Sequence, residues 1–255
     1  MSIKKPAVAG MFYPNDKKEL ENMIKQFLDK VKFDDKNRDE IKNKNIKAII
    51  VPHAGYIYSG QVAAYAYKLI ENKKYKRIII IGPAHTVYIT SPVTDGNLSW
   101  ETPLGMVDIA ENDFYEMKEA HVEEHCLEVQ IPFLQTVLRN FDIIPLVVGD
   151  ANPKEVKDML LPLLDNDTLL VISTDLSHFH DDKECRKIDN ETVKSISELD
   201  DKNIKEACGE IPIKAIISIA KQKKWKINKL CYTNSGEISG DKERVVGYAS
   251  FVLYE

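Results

Sequence analysis

Four short apolar runs constrain this chain more than any other feature: Ile46–Val51 (IKAIIV), 77–81 (RIIII), 143–148 (IIPLVV) and Thr168–Ser173 (TLLVIS). Each is rich in β-branched residues or leucine and is bounded by Pro, Gly, Asp or Lys, as strands are. None alternates apolar with polar, so none has a wet face. Strands of this kind are covered on both sides, the condition of a parallel sheet sandwiched by helices. Helical patterns fall between them. Residues 61–73 place Val62, Tyr65, Ala66 and Leu69 on one face, and 154–164 repeat the spacing at Val156, Met159, Leu160 and Leu163. The expected fold is α/β, layered on a mostly parallel sheet. Two pairs of segments predict antiparallel additions. Residues 98–101 and 106–109 flank Pro103-Leu104-Gly105, and 225–232 and 244–254 flank a polar, glycine-containing loop at 234–241.

The 255 residues, 44% of them hydrophobic, suffice for one large domain with a buried core. No internal repeat or flexible linker interrupts them, so residues 1–255 read as a single domain. Lys plus Arg number 35 and Asp plus Glu 40, a formal net charge of −5. Such a chain lacks the positive field that non-specific phosphate binding needs, so nucleic acid is not an expected partner. No run approaches the ~20 apolar residues of a membrane-spanning helix. The stretch 6–13 is too short and turn-rich for a secretory leader. Cys126, Cys185, Cys208 and Cys231 are widely spaced without a C-x-x-C pair. They read as reduced thiols of a cytoplasmic protein. The charge-dense stretch 32–47 reads as a solvated loop, and 181–197 as a polar surface helix.

Three of the four runs end in chemistry. Ile46–Val51 leads into Pro52-His53-Ala54-Gly55-Tyr56, 77–81 into Gly82-Pro83-Ala84-His85, and Thr168–Ser173 into Thr174-Asp175-Leu176-Ser177-His178. If the strands are parallel, their carboxyl ends share one edge, where open α/β sheets bind ligands. Pro52 and Pro83 stiffen these loops, as a preorganised site requires. Each residue has a plain alternative: a histidine hydrogen-bonded for structure, or Asp175 capping a helix. Together they are harder to explain away. Each unsatisfied buried polar group costs roughly 1–3 kcal/mol, which a shared metal or proton network offsets.

His125 lies in Glu124-His125-Cys126-Leu127-Glu128. If helical, it shares a face with Glu128 and is either an imidazole aimed into a pocket or half of a surface ion pair. Pro132 would kink the continuation. His121 and His180 are expected to face solvent, and Cys185, among Glu184, Arg186 and Lys187, to be an exposed, uninvolved thiol. The loop 234–241 reads as a hairpin loop with two acids that could join a metal. No Walker-type loop, G-x-G-x-x-G or G-x-S-x-G is present.

The blocks PAVAGMFYP, VPHAGYIYSG, GPAHTVY, WETPLG, EHCLEVQIPFL, STDLSHFH and NSGEISGDKERVVGYAS run in that order from residue 6 to about residue 250. They resemble the signature blocks of the Memo family. The resemblance implies a fold like that of the extradiol dioxygenases, non-haem-iron enzymes. Those hold Fe(II) with two histidines and one carboxylate, leaving positions for substrate and dioxygen. By the matched motifs, His53 and His85 correspond to metal-binding histidines. Asp175, His178 and His125 correspond to further pocket residues, expected to serve as catalytic acid–base groups. Eukaryotic members carry a metal-associated cysteine in the C-terminal loop, where this chain has Ile238. Glu237 beside it is the expected third ligand. Fe(II) is the expected metal, with Cu or Zn as alternatives. The resemblance implies a redox protein or metal-dependent oxidoreductase acting on an unknown small molecule or peptide. The competing expectation is a non-catalytic module that binds a carboxylate- or phosphate-bearing peptide or partner. Zinc-dependent hydrolysis would use similar ligands. Prokaryotic relatives are associated with radical-SAM proteins, an expected class of partner. Tyr56, Tyr58 and Trp100 are candidates for an aromatic wall, with core packing the alternative for at least two of them.

Overall fold

All four apolar runs lie side by side in one sheet. The structure is a computed structural model and describes residues 2–33, 41 and 44–255. Much of the charged stretch 32–47 is outside the described residues. In chain order the strands are β1 (Ile3–Lys4), β2 (Ile46–Val51), β3 (Arg77–Pro83), β4 (Val93–Thr94), β5 (Ser99–Thr102), β6 (Gly105–Asp108), β7 (Tyr115–Glu116), β8 (Asp142–Val148), β9 (Thr168–Ser173), β10 (His178–His180), β11 (Lys226–Asn234) and β12 (Val245–Tyr254). The parallel centre has the order β2-β9-β3-β8. β12 adds antiparallel to β2, β11 and β10 pair with β12, and β4 and β7 extend the far side.

Because side chains alternate along a strand, each central strand feeds both faces. Ile49, Val51, Ile78, Ile80, Leu169 and Val171 pack toward the helices Lys17–Asp29, Tyr56–Ile70 and Ile131–Val137. Ala48, Ile50, Ile79, Ile81, Leu170 and Ile172 pack toward Pro153–Leu160, Asp182–Ser197 and Glu210–Lys223. This is the layered α/β architecture that unbroken apolarity predicts. Truncating any of these buried isoleucines to alanine should cost about 2–5 kcal/mol. Among the described residues no helix is long and apolar enough to cross a membrane.

Several local expectations need correction. The first helix after β2 begins at Tyr56, not 61, because the Phe12 carbonyl accepts its opening N–H at 2.8 Å. β5 and β6 form the expected hairpin, but in a separate three-stranded sheet with β1. The loop after β11 contains a short helix, Ser235–Ser239, capped by the Asn234 side chain. His121 is fully buried, its Nε2 3.2 Å from the Val93 carbonyl and its ring 5.8 Å from Trp100. His180 is half-buried against Glu206. Cys185 is also buried. It sits in the first turn of Asp182–Ser197, where its thiol donates to Asp189 and accepts from the Ser177 hydroxyl. Tyr56 and Trp100 are core residues and Tyr58 is half-buried.

Candidate metal centre

β2 and β9 end in register, Val51 opposite Ser173, with β3 alongside, so one sheet edge carries all three chemistry-bearing loops. Pro52 takes the chain directly into His53, which is only 2% exposed. Two residues beyond β3 lies His85. A third ring, His125, comes from the turn that crosses this edge. The centroids of His53 and His85 are 5.3 Å apart, those of His53 and His125 5.5 Å, and those of His85 and His125 4.8 Å. Phe12 packs on the outer side of His125 at 4.8 Å. The turn approaches closely because residue 82 is glycine. A Cβ there would lie 2.8 Å from the Cys126 sulfur.

The protonation of His53 follows from its neighbours. The Pro52 carbonyl can only accept, so the Gln130 side-chain atom 2.9 Å away is its nitrogen; the Tyr67 hydroxyl donates to the amide oxygen at 2.8 Å. That nitrogen also donates to Ser173 Oγ at 2.8 Å, while the Ser173 hydroxyl donates to the Cys126 carbonyl at 2.6 Å. With its one proton committed, Ser173 can only accept from His53 Nδ1, 3.0 Å away. His53 is therefore the Nδ1–H tautomer, and its Nε2 is an acceptor that faces the Cys208 thiol at 3.3 Å. Burial and the neighbouring rings His85 and His125 push its pKa well below the usual histidine range.

His85 is held in the same sense by Glu124. The carboxylate accepts the His85 ring Nδ1 at 2.9 Å and its backbone N–H at 2.7 Å. It also accepts the backbone N–H groups of His125 and Cys126 at 2.9 and 3.0 Å. Burial works against the charge on Glu124, but these bonds, led by the His85 ring, outweigh it and hold the carboxyl down at about 2. His85 thus also turns Nε2 away from its anchor. The partner of this group is Glu124 and not Glu128: residues 123–127 are not helical. Glu128 instead binds Lys4, the N–H groups of Ala7 and Val8, and the Tyr13 hydroxyl. Pro132 occupies the first turn of Ile131–Val137 and causes no kink.

Asp175 caps no helix. Its Oδ1 accepts the His53 backbone N–H at 2.8 Å, and its Oδ2 lies 3.9 Å from His53 Nε2. Burial pushes its pKa up to about 7 against these backbone bonds. His178, half-buried on β10, is close enough that its charge would oppose those on His53 and His85, and burial lowers its own pKa. It lines a pocket of about 300 Å³ with Leu176, Glu206 and Cys208. A second pocket, of about 290 Å³, reaches Cys208 past Ala84, Tyr88 and Ile211. A larger groove, about 920 Å³, lies elsewhere, beside Asp142 at the amino end of β8.

Among the described residues, ligand-type atoms gather within 4.8 Å of one another in two sets: His53, His85 and Cys208, and His85, Glu124 and His125. The structure does not bring Glu237 to either. Its side chain is exposed on Ser235–Ser239 and is taken up by Arg186 and Lys242. Glu124 and Cys208 are the residues that sequence reasoning missed. Glu124 directly precedes His125, but a helical reading favoured Glu128. For Cys208 the only local signal was a cysteine followed by glycine ahead of a helix.

The donor set fits a cation. Nitrogen and sulfur ligands on one ion, at about 2.0–2.3 Å, stand about 3.1–3.6 Å apart for angles between 90° and tetrahedral. His53 Nε2 and Cys208 Sγ are 3.3 Å apart.

Comparison with known proteins agrees with the matched blocks. A family model described as Memo-like protein matches residues 4–252. A MEMO1 family protein of Nitrosopumilus maritimus is 36% identical over 97% of this chain and 98% of its own length. Others from Methanosarcina mazei and Aquifex aeolicus are 34% and 36% identical over 99% of this chain and their full length.

Proposed function

Because the chain belongs to the Memo family, we propose that its histidine cluster is a metal centre, for Fe(II) first and Cu or Zn as alternatives. It would serve redox or oxygen-dependent chemistry on a small organic or peptide ligand. One observation carries this reading. His53 and His85 each commit Nδ1 to a fixed acceptor, which turns both Nε2 atoms away from those acceptors at one sheet edge. When bound, the metal would act as a Lewis acid and electron carrier.

The protein's own groups supply the rest. Ser173 and Glu124 orient the two ligand rings. Asp175 clamps the loop that carries His53. His178, lining the 300 Å³ pocket, is placed to exchange a proton with a bound ligand. Phe12 packs against His125, its ring 4.8 Å away. The competing role, an anion-binding module, finds less support. Burial disfavours the charged forms of His53, His125 and His178, so near neutrality the cluster offers lone pairs where an anion needs donors.

Anaerobic titration with Fe(II) tests the reading. About one ion should bind per chain, and binding should be lost in the His53→Ala/His85→Ala double variant. Retained binding in that variant overturns the site. Thermal protection by inorganic phosphate but not by Fe(II) would favour the anion-binding role. Metal analysis after purification without added metal or chelator separates iron from a zinc-dependent hydrolase.

A further inference from the structure

We infer that the groove at the amino edge of the sheet, opposite the histidine cluster, is a docking surface for a basic, amphipathic segment of a partner protein. The inference does not depend on the metal reading. The architecture itself makes this edge negative. The three helices that cover one face of the sheet all end beside the groove. Lys17–Asp29 finishes with Asp29, Tyr56–Ile70 is closed by Glu71 and Ile131–Val137 by Leu138, and all three of these residues line it. Each long helix carries about half a negative charge on its free C-terminal carbonyls.

A lysine or arginine in the last turn would balance that charge, yet neither Lys17–Asp29 nor Ile131–Val137 has one. Acids gather there instead. Glu21, Asp29, Glu71, Asp108 and Asp142 line the groove against one cation, Lys25. Glu21 and Glu71 are paired with Lys17 and Lys68. Among the described residues, no lysine or arginine lies within ion-pair distance of Asp29, Asp108 or Asp142. Asp29 opposes the dipole of its own helix, so it works against local stability.

Between the acids the surface is apolar: Leu104 and Phe141 are half-buried and Met106 is 47% exposed. The groove is also preformed. Gln135 Nε2 donates to the Gly105 carbonyl at 3.1 Å, and Gln135 Oε1 accepts the Thr102 hydroxyl at 2.6 Å, which fastens the β5–β6 hairpin to Ile131–Val137. Apolar surface beside unpaired carboxylates matches a segment with apolar side chains on one face and lysine or arginine next to them. The same field repels the phosphates of nucleic acid and anionic lipid. At about 920 Å³ the groove lies near the top of the roughly 300–1,000 Å³ range that small molecules fill, so a peptide segment suits it better than a free polyamine.

The probe is a fluorescein-labelled peptide of leucine and lysine, patterned as an amphipathic helix and titrated into the whole protein by anisotropy. It should bind saturably and weaken at least about tenfold as NaCl rises from about 0.05 to 0.5 M. Asp108→Lys/Asp142→Lys, at two exposed positions, should weaken binding about tenfold or more, and Met106→Ser by roughly threefold. Asp158→Lys/Glu243→Lys reverses two exposed acids outside the groove and should change binding by less than about twofold. The unsubstituted protein should not bind the same peptide with glutamate in place of lysine; this arm needs no variant to fold. Equal losses in the two double variants would show attraction to net charge alone and overturn the proposal. Failure of the lysine peptide to bind, or binding of the glutamate peptide, overturns it as well. Spermine that binds in dependence on Asp108 and Asp142 where the peptide does not would assign the groove to a small polycation instead. A dimer in sedimentation equilibrium that Asp108→Lys/Asp142→Lys dissolves would assign it to a second copy of this chain, again overturning the proposal.

Discussion

Two buried glutamates four residues apart show how the same side chain is put to different ends. Glu128 is 1% exposed and accepts from Lys4, Tyr13 and the backbone of Ala7 and Val8. Most of these donors are permanent, and none has another face to offer a ligand. Its work is to fasten the amino-terminal segment, and with it Phe12, across the sheet edge. Glu124 is equally buried but accepts, besides two backbone N–H groups, the ring of His85, which gathers with His53 and Cys208. The first carboxylate ends a network and the second begins one. Burial by itself therefore says little about function; the chemistry on the far side of the partner decides.

The contrast can be broken at either residue. The largest effect belongs to Glu128→Ala, which strands the Lys4 ammonium, 4% exposed, without its counter-charge. It should lower unfolding stability by about 3–5 kcal/mol in urea. A loss below about 1 kcal/mol would show that the fastening is not needed.

Next is the acid limb of stability. Glu124 titrates at about 2 in the fold, against 4.5 for a free side chain. Between those values the unfolded chain binds more protons, so stability rises with pH across that window. The contribution is present above about 4.5 and lost as pH falls toward 2, on the order of 3 kcal/mol. Asp175, raised to about 7, acts in the opposite sense between about 4 and 7. In metal-free protein, Glu124→Gln should flatten only the lower limb. A wild-type acid limb in that variant contradicts the assignment.

Smaller in energy is the effect on metal affinity. Glu124→Gln removes the charge that orients His85 and should weaken Fe(II) binding about 10- to 100-fold, measured by competition with a chelator. Unchanged affinity would place Glu124 with Glu128 as purely structural. The smallest effect is expected of Glu237→Ala, whose exposed partners Arg186 and Lys242 remain solvated. Stability should move by less than about 0.5 kcal/mol and metal affinity not at all. A loss of affinity would return Glu237 to the centre.

The sequence made the parallel centre legible because four unbroken β-branched runs have few other uses. It made His53 and His85 legible because both follow those runs at once. Cys208 is barely marked locally, by a glycine after it ahead of a helix; the crossing of Gly209 against Thr174 brings it to the strand ends. Glu237 misled for the opposite reason. Its neighbourhood in sequence suggested a role, but the short helix Ser235–Ser239 turns it toward Arg186. The three-residue spacing of His125 and Glu128 predicts a helix, but the chain forms a turn there, and this gives Glu124 to His85.

The hydroxyl of Ser173 ties the interior of the molecule to its reactive rim. The Pro52 and Cys126 carbonyls set the direction of this network and so which nitrogen of His53 bears hydrogen, and the Tyr67 phenol, buried between sheet and helix, completes it through Gln130. A change deep in that apolar layer would thus register first as altered ligand basicity, well before the chain loses its shape.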